Sequence, residues 1–277
     1  MDLRKQILTK NECYQVGRKI NVKGIMWHST GANNPNLKRY VGPDDGRLGV
    51  NANGNHWNQY RPDGRQVCVH AFIGKDKNGS VCIYQTLPWN CRGWHAGGTA
   101  NNSYIGFELC EDGLNDRDYF NKAYHQGVEL TAYLCKQYGL DPMGKNVIIC
   151  HYDGHKLGIA SNHGDVYTWF NKMGKTMDDV RRDVKACMNG GSAPKPSNNT
   201  PTALGTYEVT ASSLRVRTGP GTNYRAKTKK ELTADAQKHC NVNGSLLKGT
   251  RVTVKELKNG WARIPSGWVS AQYLKKV

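Results

Sequence analysis

Short apolar runs alternate with polar, turn-rich stretches over the first half of the chain. Runs of four to eight largely apolar residues between Gly, Pro, Asn or Asp are typical of buried strands. The pattern predicts strands at residues 24–28, 67–74, 80–85, 103–110 and 147–150. The five residues between the second and third of these strands, Lys-Asp-Lys-Asn-Gly, predict the turn of a hairpin.

Two longer stretches show helical periodicity instead. Residues 118–138 are amphipathic and are followed by Gly139, a residue type favoured just beyond helix C-termini. Residues 176–188 predict a second helix with a charged outer face. Residues 32–66 are polar and rich in turn residues, so they predict a long surface excursion, a candidate for the wall of a groove.

The composition changes at residues 189–205, where three prolines and many small polar residues predict a flexible linker. Beyond the linker, residues 206–277 contain short apolar runs separated by Gly-containing turns. Such regularly spaced strands in about seventy residues indicate a small all-β barrel, with residues 233–244 interrupting the pattern. The predicted strands are residues 207–210, 214–217, 251–257, 260–264 and 267–270.

Candidate metal-binding residues lie at the ends of two of the predicted strands. One strand ends at His28, and another leads into His151, which opens a His-, Asp- and Gly-rich segment that we predict to be a loop as far as residue 170. Two strand-terminal histidines so far apart suit a catalytic zinc site, which takes three protein ligands and leaves one position for water. No C-x-x-C pair is present to indicate a structural zinc site. We interpret His56 and His155 as surface residues.

Two further polar features accompany the histidines. Glu108 lies between two apolar residues of a predicted strand, where its carboxylate faces either solvent or the histidine cluster. In the second case it is a candidate base. The glycine-rich loop at residues 90–98 carries the pair Trp94–His95, which we expect to be exposed.

Positive charge is unevenly distributed along the chain. The formal net charge is +17, of which +10 belongs to residues 206–277 and +6 to residues 1–188. A small, strongly basic module indicates a polyanionic partner, and both nucleic acid and an anionic bacterial wall meet that description. Aromatic residues beside basic ones can stack on bases. In so small a barrel, however, core or wall-ligand contacts are the more common use of aromatic side chains.

The cysteines and the hydropathy of the chain indicate the compartment in which the protein is made. The nine cysteines are scattered without pairing rhythm, and we predict free thiols, with Cys82, Cys135 and Cys150 as small core residues. No apolar run approaches the length of a membrane span. The N-terminal residues lack the apolar core of a signal peptide. We therefore expect a protein made in the cytoplasm, without insertion into a membrane.

Five sequence motifs, taken in their order along the chain, resemble those of one protein family. They are Trp27-His28-Ser29-Thr30, the hairpin at 68–85, Gly93-Trp94-His95-Ala96-Gly97, Ile105-Gly106-Phe107-Glu108-Leu109, and His151 with Asp165. Together they resemble the zinc-dependent N-acetylmuramoyl-L-alanine amidases of the type 2 family, related to the peptidoglycan recognition proteins. The resemblance covers residues 1–188 and implies an α/β catalytic domain with a central mixed β-sheet flanked by helices.

A second resemblance concerns the tail. The stretch from Leu214 to Gly221 and the two Gly-Trp pairs near residues 260 and 267 resemble bacterial SH3 domains, which target lytic enzymes to the cell wall. The layout of catalytic domain (1–188), linker (189–205) and SH3-like barrel (206–277) resembles a phage or prophage endolysin. The implied partners are peptidoglycan and its associated anionic polymers rather than nucleic acid.

The family resemblance also implies roles for individual residues. His28, His151 and Asp165 correspond to the Zn²⁺ ligands. Glu108 corresponds to the acidic residue proposed to act on the zinc-bound water. His163 stands where many members carry a lysine that stabilises the oxyanion; it could take that role or, as the weaker alternative, replace Asp165 as a ligand. Groove positions that contact substrate are His70, Trp94 and His95, although both histidines could instead serve packing, and we favour packing for His70.

These residue types predict an amide hydrolysis. The implied scissile bond joins the lactyl group of N-acetylmuramic acid to L-alanine, so the expected result is lysis of the bacterial wall. Zinc would lower the pKa of its water and polarise the carbonyl. The principal alternative is a non-catalytic peptidoglycan recognition protein of the same fold, a class marked by loss of a zinc ligand.

Overall fold

The computed structural model describes residues 1–190, 201, 203–221, 224–258 and 260–277. Two compact units are present, and each is described by itself. The first contains residues 1–169 and the helix Met177–Met188, and the second contains the described residues from 203 onward with the segment Phe170–Thr176. The predicted linker at 189–205 falls largely on residues 191–200 and 202, which lie outside the described residues.

Six strands form a mixed sheet at the centre of the first unit: β1 (Leu3–Lys5), β2 (Gly24–Ser29), β3 (Ala71–Lys75), β4 (Val81–Gln85), β5 (Tyr104–Leu109) and β6 (Ile148–Cys150). Their order across the sheet is β1-β4-β3-β5-β2-β6. Every neighbouring pair is parallel except β3 and β4, which form the predicted antiparallel hairpin. The interior strands β2 and β5 are the longest apolar runs, as expected for strands covered on both faces.

Five α-helices occur within residues 1–188: α1 (Glu12–Val16), α2 (Arg117–Tyr138), α3 (His151–Lys156), α4 (Tyr167–Lys172) and α5 (Met177–Met188). The side chain of Asp116 caps α2 by accepting the backbone N–H of Tyr119, and Gly139 ends the helix with φ of 62°. The helix packs against α5 and against the sheet. The predicted helices at 118–138 and 176–188 and the mixed α/β architecture are confirmed.

Trp27 of β2 anchors the sheet to α2. Its ring lies against Gly127, where an added Cβ would come within 2.6 Å of the indole. It also packs on Phe107 of β5, with ring centroids 4.9 Å apart. Because side chains alternate along a strand, His28 points to the face opposite Trp27. Trp27 therefore packs between the sheet and α2, while His28 projects from the opposite face of the sheet.

The segment after β6 differs from the loop predicted for residues 151–170. That prediction was wrong for α3, which begins at His151 itself, and for α4. The carboxylate of Asp153 lies in the first turn of α3, where negative charge favours helix formation. The loop was predicted from the glycines of this segment, among them Gly154 and Gly158, and the helix-favouring position of the acidic residue was given less weight. The excursion at 32–66 contains no strand or α-helix, as predicted, but it is not confined to the surface, because Leu37, Tyr40, Val41 and Leu48 are buried in a hydrophobic cluster.

The second unit is β-rich. Its elements are β7 (Gly205–Val209), β8 (Ser213–Arg215), α6 (Ala234–Lys238), β9 (Ser245–Leu247), β10 (Arg251–Val254), β11 (Glu256–Lys258), β12 (Trp261–Ile264), β13 (Gly267–Ser270) and β14 (Leu274–Lys276). They form three small antiparallel sheets, β10-β7-β14, β11-β12-β13 and β8-β9. The run predicted as one strand at 251–257 is two strands, and β9, β14 and α6 were not predicted.

All nine cysteines are free thiols, and eight of them are buried. Cys82, Cys135 and Cys150 are fully enclosed, which confirms their prediction as core residues. Within the described ranges, no helix combines the length and the apolar character that a membrane crossing needs.

Candidate metal centre

Three residues distant in sequence converge at the carboxyl ends of β2 and β6. His28 is the penultimate residue of β2, His151 follows the last residue of β6, and the two strands are parallel neighbours. Asp165 lies on the segment between α3 and α4. One potential ligand atom from each of these three residues lies within 4.8 Å of the others. The structure thus brings together the three residues expected to bind zinc.

The spacing of the donor atoms fits a single metal ion. His28 Nδ1 is 3.1 Å from His151 Nδ1 and 3.1 Å from Asp165 Oδ2. Two nitrogens bound tetrahedrally to one zinc at about 2.0–2.1 Å lie roughly 3.3 Å apart. Two imidazoles and one carboxylate also form a donor set found in catalytic zinc sites, with a fourth position left open. The residues present therefore fit the ion that the sequence predicts.

The protonation states of the ligands suit metal binding. Burial, together with the proximity of His28, lowers the pKa of His151 to about 4, which leaves its imidazole neutral at pH 7. Burial opposes ionisation of Asp165. The close contact with His28 and the neighbouring imidazoles outweigh burial and keep the pKa of Asp165 below its ordinary value. A neutral imidazole and an ionised carboxylate are the forms that bind cations.

Glu108 of β5 lies on the same face of the sheet as His28. The two residues are paired in register across parallel strands. Glu108 Oε2 is buried, and no hydrogen-bond partner for it occurs among the described residues. Burial, and then the nearby carboxylates of Asp165 and Glu111, raise the pKa of Glu108 well above its usual range. A raised pKa makes this carboxylate a stronger proton acceptor than that of an ordinary glutamate.

His163 lies beside the candidate ligand His151. The two ring centroids are 4.6 Å apart, and His163 Nδ1 is 3.0 Å from Ser161 Oγ. The side chain of His163 is exposed. Asp165 is the residue whose carboxylate reaches His28 and His151, so the geometry favours Asp165 over His163 as the third ligand.

The three candidate substrate contacts occupy different environments. Trp94 is 38% exposed and carries the guanidinium of Arg92 over its ring, 4.8 Å from the centroid. His95 Nδ1 is 3.0 Å from His28 Nε2. His70 is fully buried, with Nε2 donating to the Cys91 carbonyl at 2.8 Å. This burial places His70 inside the core.

Two polar residues of the site were not singled out from the sequence. The hydroxyl of Ser29 donates to Glu111 Oε1 at 2.5 Å, just beyond the end of β5, and burial raises the pKa of Glu111. Ser161 Oγ is 3.2 Å from His151 Nε2. The position of Glu111 directly after a predicted strand was an available signal. Ser161 offers no comparable signal, because serine is common in loops.

Comparisons with known proteins agree with this arrangement. Residues 18–166 match the family model described as N-acetylmuramoyl-L-alanine amidase, a range that includes all three candidate ligands. The chain is 31% identical over 115 residues to N-acetylmuramoyl-L-alanine amidase XlyA of Bacillus subtilis, covering 36% of this chain and 37% of the relative. The chain thus spans little more than a third of the length of the curated relative it matches.

A solved structure shares the fold. Staphylococcus aureus hydrolase AmiA, in complex with its ligand, aligns with a TM-score of 0.50 at 20% identity. The alignment covers 70% of this chain and 88% of that chain. The likeness shows a common mixed α/β architecture.

Proposed function

The chain belongs to the N-acetylmuramoyl-L-alanine amidase family, and from this membership we propose that it is a zinc-dependent peptidoglycan hydrolase. Its substrate is the amide that joins N-acetylmuramic acid to the L-alanine of the stem peptide. The observation that carries the proposal is the convergence of His28, His151 and Asp165, with one potential ligand atom from each within 4.8 Å of the others, on the sheet face that also bears Glu108. These residues hold the ion and supply a proton acceptor beside it.

When bound, Zn²⁺ supplies Lewis acidity and a water of lowered pKa. Glu108 accepts the proton of the attacking water on its buried carboxylate and returns it to the leaving amine nitrogen. The raised pKa of Glu108 makes its carboxylate the stronger proton acceptor for this step. His163 offsets negative charge on the tetrahedral intermediate from its position beside His151.

Residues 1–188 form the catalytic domain in this proposal, and residues 206–277 form an SH3-like barrel that binds the wall. Support for the second assignment comes from the three small antiparallel sheets and the net charge of +10. Anionic wall polymers complement such a charge. The combined protein acts as an endolysin of phage or prophage type: it is made in the bacterial cytoplasm and degrades the wall after release.

The test is metal content measured alongside hydrolysis of purified cell walls, before and after chelation. One zinc per chain, new amino-terminal alanine and no new reducing sugars are the expected results. Reducing sugars would identify a glycosidase and overturn the mechanism. Wall binding without metal or product would identify a non-catalytic recognition protein instead. Retention on DNA-cellulose in place of cell walls would overturn the assignment of the tail.

A further inference from the structure

Each histidine ligand of the candidate centre has its second ring nitrogen in a hydrogen bond. His28 Nε2 is 3.0 Å from His95 Nδ1, and His151 Nε2 is 3.2 Å from Ser161 Oγ. In both residues the nitrogen left for the metal is therefore Nδ1, the atom that lies within 3.1 Å of the other ligand's Nδ1. A histidine ligand must carry its proton on the nitrogen away from the metal.

A backbone carbonyl determines which way the bond between His28 and His95 runs. His95 Nε2 is 3.2 Å from the carbonyl oxygen of Tyr104, which can only accept, so Nε2 of His95 bears the hydrogen. In a neutral ring the other nitrogen, Nδ1, then has only a lone pair to offer. Nε2 of His28 must donate to it. The Nδ1 of His28 is left free of hydrogen.

The ring of His95 is held firmly in this orientation. It lies over Gly106, where an added Cβ would come within 2.4 Å of His95 Nδ1. The backbone N–H of His95 donates to Asn101 Oδ1 at 2.9 Å. Gly106 and the Tyr104 carbonyl fix the ring, which can thereby impose its own tautomer on its neighbour.

Ser161 has the corresponding relation to His151. Its hydroxyl oxygen can accept from His151 Nε2 while its hydrogen turns toward the Ala96 carbonyl at 3.2 Å or His163 Nδ1 at 3.0 Å. The backbone N–H of Ser161 also donates to the Ala96 carbonyl at 2.8 Å. An added Cβ at Gly97 would lie 2.5 Å from Ser161 Oγ, so glycine provides the space. The segment 95–97 therefore supports both hydrogen bonds.

We propose that His95 and Ser161 are positioning residues that hold His28 and His151 as Nε2–H tautomers, so that both present Nδ1 to the metal. This assignment replaces a substrate contact as the principal role of His95. It rests on the metal site of the proposed function, but it concerns the ligand rings and can be measured without substrate. Loss of such outer hydrogen bonds typically weakens metal binding about 10- to 100-fold.

The first experiment measures zinc affinity of the full-length protein by competition with a chromogenic chelator. The variants are His95→Leu, His95→Asn and Ser161→Ala, with His155→Leu and Ser80→Ala as exposed controls. Asparagine places an amide oxygen where His95 has Nδ1, so it keeps the acceptor that leucine removes. We expect His95→Leu and Ser161→Ala to bind zinc about 10- to 100-fold more weakly. His95→Asn and both controls should stay close to the unmodified protein.

The second experiment records ring ¹⁵N and ¹H correlations of the metal-free protein after ¹⁵N-histidine labelling. His28 and His151 should show the Nε2–H pattern, and His95→Leu should convert His28 to a tautomer mixture while circular dichroism stays unchanged. Nδ1–H patterns in the unmodified protein, or unchanged zinc affinity in both variants, would overturn the proposal. Failure of the unmodified protein to bind zinc would instead overturn the proposed function, whatever tautomers its rings adopt.

Discussion

His28 and Glu108 are directly opposed residues of two adjacent parallel strands, so a metal ligand and a buried carboxyl group share one face of the central sheet. Their separation is set by strand pairing rather than by loop conformation. The backbones that carry the two side chains cannot slide past one another without breaking the ladder between β2 and β5. The sheet therefore preorganises the candidate site, as catalysis requires.

Replacing Glu108 with glutamine tests its role as proton acceptor. Loss of a positioned general base typically costs about 10²- to 10⁴-fold in turnover. We expect Glu108→Gln to lose activity to this extent while retaining zinc, as measured by wall hydrolysis and metal analysis. The neighbouring Glu111→Gln provides the control, since Glu111 is already engaged by Ser29. An equal loss in Glu111→Gln would contradict the assignment.

His163→Ala separates oxyanion stabilisation from metal binding. His163 lies beside His151 but outside the set of three converging ligand atoms. Removal of one oxyanion donor typically lowers turnover about 10²- to 10³-fold. We expect that loss with one zinc per chain retained. Loss of zinc in this variant would mean that His163, rather than Asp165, completes the ligand set.

Gly127→Ala tests the packing of Trp27 against α2. The added methyl group would meet the indole at 2.6 Å. Overpacking a core costs about 1–3 kcal/mol, whereas alanine gains at most about 1 kcal/mol over glycine within a helix. The unfolding free energy should therefore fall, which urea titration can measure. Gly164→Ala is the control, because this glycine has no positive φ and the added group would meet only Thr168 Oγ1, at an ordinary contact distance of 3.6 Å. A more stable Gly127→Ala protein would show that Trp27 can shift freely.

Glu231 makes the stability of the second unit depend on pH. Hydrogen bonds from Arg225, and then from the backbone and hydroxyl of Thr228, lower the pKa of this carboxyl group in the folded protein. Its contribution is complete above the ordinary glutamate pKa of about 4.3 and is lost as the pH falls toward the folded-state value. Glu231→Gln should therefore lower the melting temperature at pH 7, and the difference should narrow by pH 3. A difference that does not change with pH would exclude this ion pair as its source.

Much of the candidate site could be inferred from local sequence because the end of a buried strand can be recognised where its apolar run stops. The runs before His28 and His151 are apolar, and the carboxyl ends of parallel strands meet at one edge of a sheet. Asp165 is different, since nothing in its local pattern distinguishes it from other loop aspartates. Its identification depended on family resemblance, and the structure brings its carboxylate to both histidines.

Other features lay beyond sequence reasoning because they depend on contacts between distant residues. The relation of His95 to His28 arises only when the loop before β5 folds over Gly106. The strands β9 and β14 have three residues each and are stabilised by partners elsewhere in the unit. Periodicity over three residues carries too little signal to predict a strand.

The ligands of the candidate centre are separated by up to 137 residues, and this distance has a consequence for biosynthesis. During translation, His28 emerges long before its partners, and a nascent chain cannot assemble the centre until Asp165 has left the ribosome. A proteolytic fragment that ends just before this point retains β2 and its partners β5 and β6 but lacks the carboxylate, so its ligand set is incomplete whatever its metal supply. The centre can therefore form only after all six strands of the central sheet have been synthesised.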